Sequence, residues 1–157
     1  MSALTKLTLC LFAVGLASAC NESATEPPRS GAVIQLATSG GFAGVDFEFS
    51  IDGPAGVVRG VRCVSFCDWE DGDILATVSA ERIAELERKF DAANFLAGED
   101  EDFGDECCDQ FRYELNLTRR EASRSIAGTS ERLPPSLMAL VRDIEVWVAE
   151  AREDGDA

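Results

Sequence analysis

Residues 45–52 read VDFEFSID, in which every second residue is apolar. Because successive side chains of a β-strand point to opposite faces, this alternation predicts a strand with one buried and one solvated face. Residues 111–118, which read FRYELNLT, repeat the pattern. Two half-buried strands of this kind predict an antiparallel sheet that is packed on one face only.

Two amphipathic helices are predicted to cover the packed face. Ser79 is a good N-cap and precedes apolar residues at helical spacing, and Pro134-Pro135 can start a second helix. The short run 74–78 is either a strand or the approach to the first helix. The order β-β-(β)-α-β-β-α therefore predicts an α+β fold, with an antiparallel sheet of about four strands and two helices packed on one face. The apolar stripe of the second helix comprises Leu137, Leu140, Val141, Ile144, Trp147, Val148 and Ala151.

The N-terminal residues 1–19 have the form of a secretory signal, with one cation, a short apolar run and small residues before Cys20. Residues 16–20, which read LASAC, resemble a bacterial lipobox, in which the cysteine is lipidated and becomes the mature N-terminus. The alternative is an ordinary signal peptide that happens to precede a cysteine.

The polar segment 20–31 is predicted to be a flexible tether, and residues 32–152 are predicted to form a single domain. Asn21, rather than an aspartate, follows the cysteine. By its resemblance to the enterobacterial sorting signal, this residue favours an outer-membrane lipoprotein that faces the periplasm or the exterior. We therefore expect the protein in the bacterial cell envelope.

The charge and composition exclude several functions. The chain carries 29 acidic and 14 basic residues, a net charge of −15, which repels nucleic acid. It contains no histidine, which excludes Ser-His-Asp and Cys-His catalysis and histidine-ligated zinc or iron. Carboxylate pairs are plentiful, but no pair has a spacing that sets it apart. We therefore expect no enzymatic activity, no catalytic residue and no cofactor.

Four cysteines remain after removal of the signal and lipidation of Cys20, and in an exported protein an even number predicts two disulfides. A bond between the two adjacent cysteines would be strained, so each is predicted to pair with one cysteine of the earlier pair. Four thiolates could instead bind zinc, although adjacent ligands fit the usual geometry poorly. The cysteines are Cys63, Cys67, Cys107 and Cys108.

The acidic segment 99–106 is a candidate for calcium binding, because calcium prefers oxygen ligands. Its candidate ligands are Asp100, Asp102 and Asp105. The segment does not match the EF-hand pattern, since its glycine comes one position early and a glutamine stands where the closing glutamate belongs. The alternative is a solvated acidic loop, and the segment is not assigned as a metal site.

The segment 39–44, which reads SGGFAG, lies between two predicted strands. A hairpin turn needs glycine, but it does not need a large apolar side chain where water surrounds it. Phe42 therefore has two interpretations. It either folds back and plugs the end of its own sheet, or it is exposed and anchors a binding partner.

Four segments resemble the emfourin family, which are proteinaceous inhibitors of thermolysin-like (M4) metallopeptidases such as protealysin. They are SGGFAG at 39–44, LERKFDAANF at 86–95, QFRYELNL at 110–117 and LPPSLMALVRDIEVW at 133–147. The chain departs from those relatives in its lipobox, its cysteines and its acidic segment.

This resemblance implies an M4 metallopeptidase as the partner and its active-site cleft as the target. The peptidases of this class favour a bulky apolar residue just after the scissile bond. We interpret Phe42 as the residue that fills this subsite. The alternative is a non-enzymatic envelope lipoprotein that binds another protein or calcium. The residues expected to contact the protease are Ser39, Gly40, Gly41, Phe42, Ala43 and Gly44.

Overall fold

The computed structural model of the chain describes residues 31–65, 67–104 and 109–155. The predicted signal sequence, Cys20 and nearly all of the predicted tether lie outside these residues, as do Asp105, Cys107 and Cys108. A short 3-10 helix, Phe95–Ala97, follows the first α-helix. In chain order, the other elements are β1 (Ala32–Gly40), β2 (Val45–Asp52), β3 (Val57–Ser65), β4 (Ile74–Thr77), α1 (Ala80–Ala92), β5 (Glu101–Asp102), β6 (Phe111–Arg119), β7 (Ala122–Thr129) and α2 (Pro135–Gly155).

The strands form one seven-stranded sheet in the order β4-β3-β2-β1-β6-β7-β5. The α+β class is confirmed, but the prediction of about four antiparallel strands is wrong. The sheet is mixed, because β5 pairs in parallel with β7 while the other pairs are antiparallel. β4 and β5 have only four and two residues, too few for an alternating pattern to identify them. Pairing with neighbours that are distant in sequence defines these two edge strands.

The hydrophobic core lies between one face of the sheet and the helices. Alternate residues of β1 are buried while those between them are half-buried, as the period of two predicts. Ala32, Ile34 and Leu36 are at most 1% exposed and belong to the same buried cluster as the apolar residues of both helices. All seven residues of the predicted stripe in α2 are buried, so this prediction is confirmed.

The first helix begins at the N-cap that its sequence predicts. The Ser79 side chain accepts a hydrogen bond from the amide of Arg82 at 3.3 Å, which satisfies a free donor of the first turn. After the helix, Phe95 is fully buried and meets Phe90 edge-on, with ring centroids 5.3 Å apart. The ring of Phe95 thus closes the core at the end of α1.

The predicted pairing of the cysteines is wrong. Cys63 forms a disulfide with Cys67, four residues later, so neither can cross to Cys107 or Cys108. In a continuous strand these two positions would be about 13 Å apart. However, β3 ends at Ser65, and the two Cα atoms lie 6.1 Å apart, within the range that a disulfide spans.

Within residues 31–65, 67–104 and 109–155, no helix combines the length and apolar character needed to cross a bilayer.

Candidate functional site at the first hairpin

The SGGFAG segment forms the tip that joins β1 to β2. Gly40 pairs with Val45 at the end of the ladder, and the amide of Gly44 donates to the carbonyl oxygen of Gly41 at 3.0 Å. Gly40, Gly41 and Gly44 have φ angles of +96°, +69° and +66°. Only glycine adopts this left-handed region at little cost, so the backbone conformation explains why three glycines occur in six residues.

The side chain of Phe42 is 95% exposed, the highest value for any large apolar residue in the part of the chain that the structure describes. The ring therefore does not plug the end of the sheet, and the first of the two interpretations of Phe42 is wrong. Its neighbour Ala43 is also exposed. The tip presents a single aromatic ring to solvent on a narrow backbone.

One side of the tip is held by the start of β6. The amide of Gly41 donates a hydrogen bond of 3.1 Å to the carbonyl oxygen of Gln110. A Cβ at Gly40 would lie 2.6 Å from this same oxygen, and a Cβ at Gly41 would lie 2.8 Å from the ring of Phe111. A larger residue at Gly40 would push the tip away from this backbone oxygen, and one at Gly41 would displace the ring of Phe111, so these glycines also permit a close approach.

The other side of the tip is held by the end of β3. The hydroxyl of Ser65 donates a hydrogen bond of 2.6 Å to the carbonyl oxygen of Gly44. Next to it, Asp46 forms an ion pair of 2.7 Å with Arg62, so this acid contacts a basic group within its own sheet. The tip is thus anchored at both ends, which restricts the orientations that Phe42 can reach.

Sequence reasoning missed three residues that hold the tip, namely Ser65, Gln110 and Phe111. Periodicity identifies Phe111 only as the first residue of a strand. The one sequence signal near Ser65 is its place between Cys63 and Cys67. These residues contact the tip across more than 20 positions of sequence, and no local pattern reports such contacts.

The loop after the disulfide is anchored to the rest of the fold. The carboxylate of Asp68 accepts two hydrogen bonds of 2.7 Å from Arg152 in α2, and this bonding lowers the pKa of Asp68. The carboxylate of Asp71 accepts a hydrogen bond of 2.9 Å from the amide of Cys63. The ring of Trp69 lies against Gly60, where a Cβ would overlap it.

A small cleft of about 260 Å³ lies between this loop and α2. Phe47 and Phe49, whose rings are stacked with centroids 6.4 Å apart, form part of its lining together with Trp69. Glu145 also borders the cleft, and burial raises the pKa of its carboxyl. The cleft is smaller than the range typical of ligand pockets.

A larger groove of about 790 Å³ runs between the two helices, and several of its charged side chains form ion pairs across it. Arg82 forms ion pairs with Asp154 and Glu150 and lies over the ring of Trp147, 5.5 Å from its centroid. Lys89 pairs with Asp143 at 3.1 Å. These contacts join α1 to α2, and such pairing is typical of a solvated helix interface.

The two calcium candidates that the structure describes are hydrogen-bonded within the fold. The Asp100 carboxylate accepts from the amide of Ser125 at 2.7 Å. The Asp102 carboxylate pairs with Arg112 at 2.8 Å, which lowers its pKa. Leaving aside residues 105–108 and the other undescribed positions, no three acidic or cysteine side chains are grouped to hold a metal ion.

No family model matches the chain. No curated protein matches it either. The assignment of a function therefore depends on the hairpin tip and on the segments that resemble emfourins.

Proposed function

We propose that the chain is a proteinaceous inhibitor of a thermolysin-like (M4) metallopeptidase and blocks the active-site cleft of that enzyme with the SGGFAG tip. The observation that carries the proposal is the 95% exposure of Phe42 on a tip that is hydrogen-bonded at both ends. Exposed aromatic side chains are typical anchors of protein interfaces. The emfourin-like segments support the class of the target.

The proposed mechanism is occlusion of the cleft without chemistry. The Phe42 side chain enters the apolar subsite that M4 peptidases use for the residue after the scissile bond. Its burial contributes about 2 kcal/mol of binding free energy. Gly41 and Gly44 carry no side chain, so the backbone on both sides of the ring approaches the walls of the cleft. Because the tip is already held by β3 and β6, little conformational entropy is lost on binding.

The proposed location is the outer membrane, to which the lipid on Cys20 attaches the protein. Residues 20–31 then serve as a polar tether of about a dozen residues, which in a random-coil conformation spans about 20 Å. The inhibitor would act on a peptidase in the envelope or at the cell surface. Support for this part comes from the LASAC segment and the polar residues that follow it.

An inhibition assay tests the proposal. The purified chain is added to several M4 peptidases, and the cleavage of a peptide substrate is measured as the inhibitor concentration rises. We expect inhibition at micromolar concentration or below. Loss of about 2 kcal/mol in the Phe42→Ala variant should raise the inhibition constant about 30-fold. The melting temperature should stay unchanged, because the side chain makes little contact with the fold.

Val146→Ala is the matched control, since Val146 is an apolar residue of α2 that is 58% exposed. It should leave the inhibition constant unchanged. The proposal is wrong if the unaltered chain fails to inhibit every M4 peptidase tested. Binding of such a peptidase that depends on Phe42 but leaves cleavage intact would favour the alternative, a lipoprotein that binds a protein without inhibiting it.

A further inference from the structure

The hydrogen bond between Ser65 and Gly44 links the hairpin tip to the disulfide. Ser65 is the last residue of β3 and pairs in register with Asp46 of β2. Its hydroxyl reaches beyond the ladder to the carbonyl oxygen of Gly44, at 2.6 Å. Gly44 is the final residue of the tip. The position of Ser65 therefore helps to determine where this end of the tip is held.

The Cys63–Cys67 disulfide encloses Ser65. The carbonyl oxygen of Ser65 lies 3.8 Å from the sulfur of Cys63 and 3.7 Å from the sulfur of Cys67. The covalent bond closes a ring of five residues around this backbone position. A closed ring of this size allows far fewer conformations than an open strand end. The disulfide thus restricts Ser65 directly, and the tip through it.

The far end of this ring is attached to α2 through an ion pair at the surface. Cys67 is followed by Asp68, which is held by two hydrogen bonds to Arg152 of α2. At the near end, the amide of Cys63 donates to Asp71. Ser65 therefore belongs to a support with contacts to both the sheet and a helix, rather than to a free strand end.

We propose that the Cys63–Cys67 disulfide and Ser65 form a support that positions the hairpin tip for binding. Ser65 is a positioning residue, since it acts on Phe42 through the backbone of Gly44 and does not itself contact the partner. The inference deepens the proposed function and rests on it for its effect on inhibition. Its effect on the tip itself is independent of any partner.

Loss of the support should loosen the tip at Gly44, where the Gly40–Val45 pair and the hydrogen bond to Gly41 remain, while Gln110 still holds the other end. Phe42 would then sample more orientations, and binding would have to restrict them. A neutral hydrogen bond of ordinary strength corresponds to about a fivefold change in an equilibrium constant. We expect an increase of that size in the inhibition constant of Ser65→Ala.

Hydrogen exchange of the backbone amides at residues 41–45 measures the tip without a partner. Exchange should be several-fold faster in Ser65→Ala and in the double variant Cys63→Ser/Cys67→Ser than in the unaltered chain. Ser65→Thr keeps a hydroxyl and should retain slow exchange. Ser50→Ala is the matched control, because Ser50 lies on the polar face of β2 away from the tip. It should leave exchange at the tip unchanged.

Unchanged exchange at residues 41–45 in both Ser65→Ala and the double cysteine variant would overturn the inference. Ser65→Ala decides the matter if the double variant does not fold, since it removes one half-buried hydroxyl only. Faster exchange at the tip in a chain that inhibits no M4 peptidase would support the positioning role and would reject the proposed inhibitor. The proposed inhibitor function and the proposed positioning role can therefore be rejected independently of each other.

Discussion

The ring of Phe111 occupies the space that a side chain at Gly41 would need, 2.8 Å from the position of its Cβ. Gly41 is the second glycine of the tip and Phe111 is the first residue of β6. Because Gly41 has no side chain, the ring of Phe111 can lie against the tip and support it. Gly41 also has a φ angle of +69°, so both its conformation and its packing require glycine at this position.

Gly41→Ala and Gly44→Ala separate these two effects. The φ angles are nearly equal, so each alanine should cost about 1–2 kcal/mol in left-handed backbone conformation. Only Gly41→Ala also displaces the Phe111 ring, since nothing lies within 4 Å of a Cβ at Gly44. Gly41→Ala should therefore lower the free energy of unfolding further, by about 1 kcal/mol, the low end of the cost of overpacking, because the Phe111 ring is 40% exposed. Chemical denaturation of both variants measures the difference, and equal losses would show that the ring moves aside freely.

Arg124→Lys should destabilise the fold by about 1–3 kcal/mol. The guanidinium of Arg124 donates to the carbonyl oxygens of Phe95 and Glu99 at 2.8 and 2.7 Å, and lies 5.1 Å from the centroid of the Phe95 ring. A lysine ammonium cannot reproduce the planar geometry with which the guanidinium donates both hydrogen bonds. The midpoint of urea unfolding measures the loss. Arg59→Lys, on an exposed arginine of β3, should leave the midpoint unchanged and is the control.

Glu145→Gln should stabilise the protein at neutral pH. Burial raises the pKa of Glu145 in the folded state above its value in the unfolded chain, although the charge of Arg142 opposes this shift. The stability associated with the protonated form is therefore present below the unfolded pKa and is lost as the pH rises through the folded pKa. The melting temperature of the variant should exceed that of the unaltered chain by a few degrees at pH 7, and the difference should shrink near pH 4. A lower melting temperature of the variant at pH 7 would contradict this reasoning.

Arg119→Gln should make the protein less sensitive to acid. The hydrogen bond of 2.6 Å from Arg119 lowers the pKa of Asp91 in the folded state. The stability that comes from this shift is present above the unfolded pKa of an aspartate, about 4, and is lost as the pH falls through the folded pKa. The melting temperature of Arg119→Gln should therefore fall less between pH 5 and pH 2. Asp91→Asn should have the same effect, and a steeper fall in either variant would contradict the assignment.

The sequence by itself determined the elements whose pattern repeats along the chain. The alternation in β2 and β6, the stripe of α2 and the N-cap Ser79 were all predictable, because each depends on residues within a few positions of one another. The glycines of the tip likewise marked a turn. The sequence also showed an aromatic residue, Phe42, in a glycine-rich turn. The sequence alone could not decide whether its ring is buried or exposed.

Only the tertiary structure decided the two short edge strands, the pairing of Cys63 with Cys67, and the support of the tip by Ser65, Gln110 and Phe111. A strand of two or four residues has no period, and its pairing partner lies elsewhere in the chain. The contacts of the tip join residues that are 21 positions apart at Gly44 and still further apart at Gly41. Packing brings such residues together, and a local pattern carries no information about their distance in space.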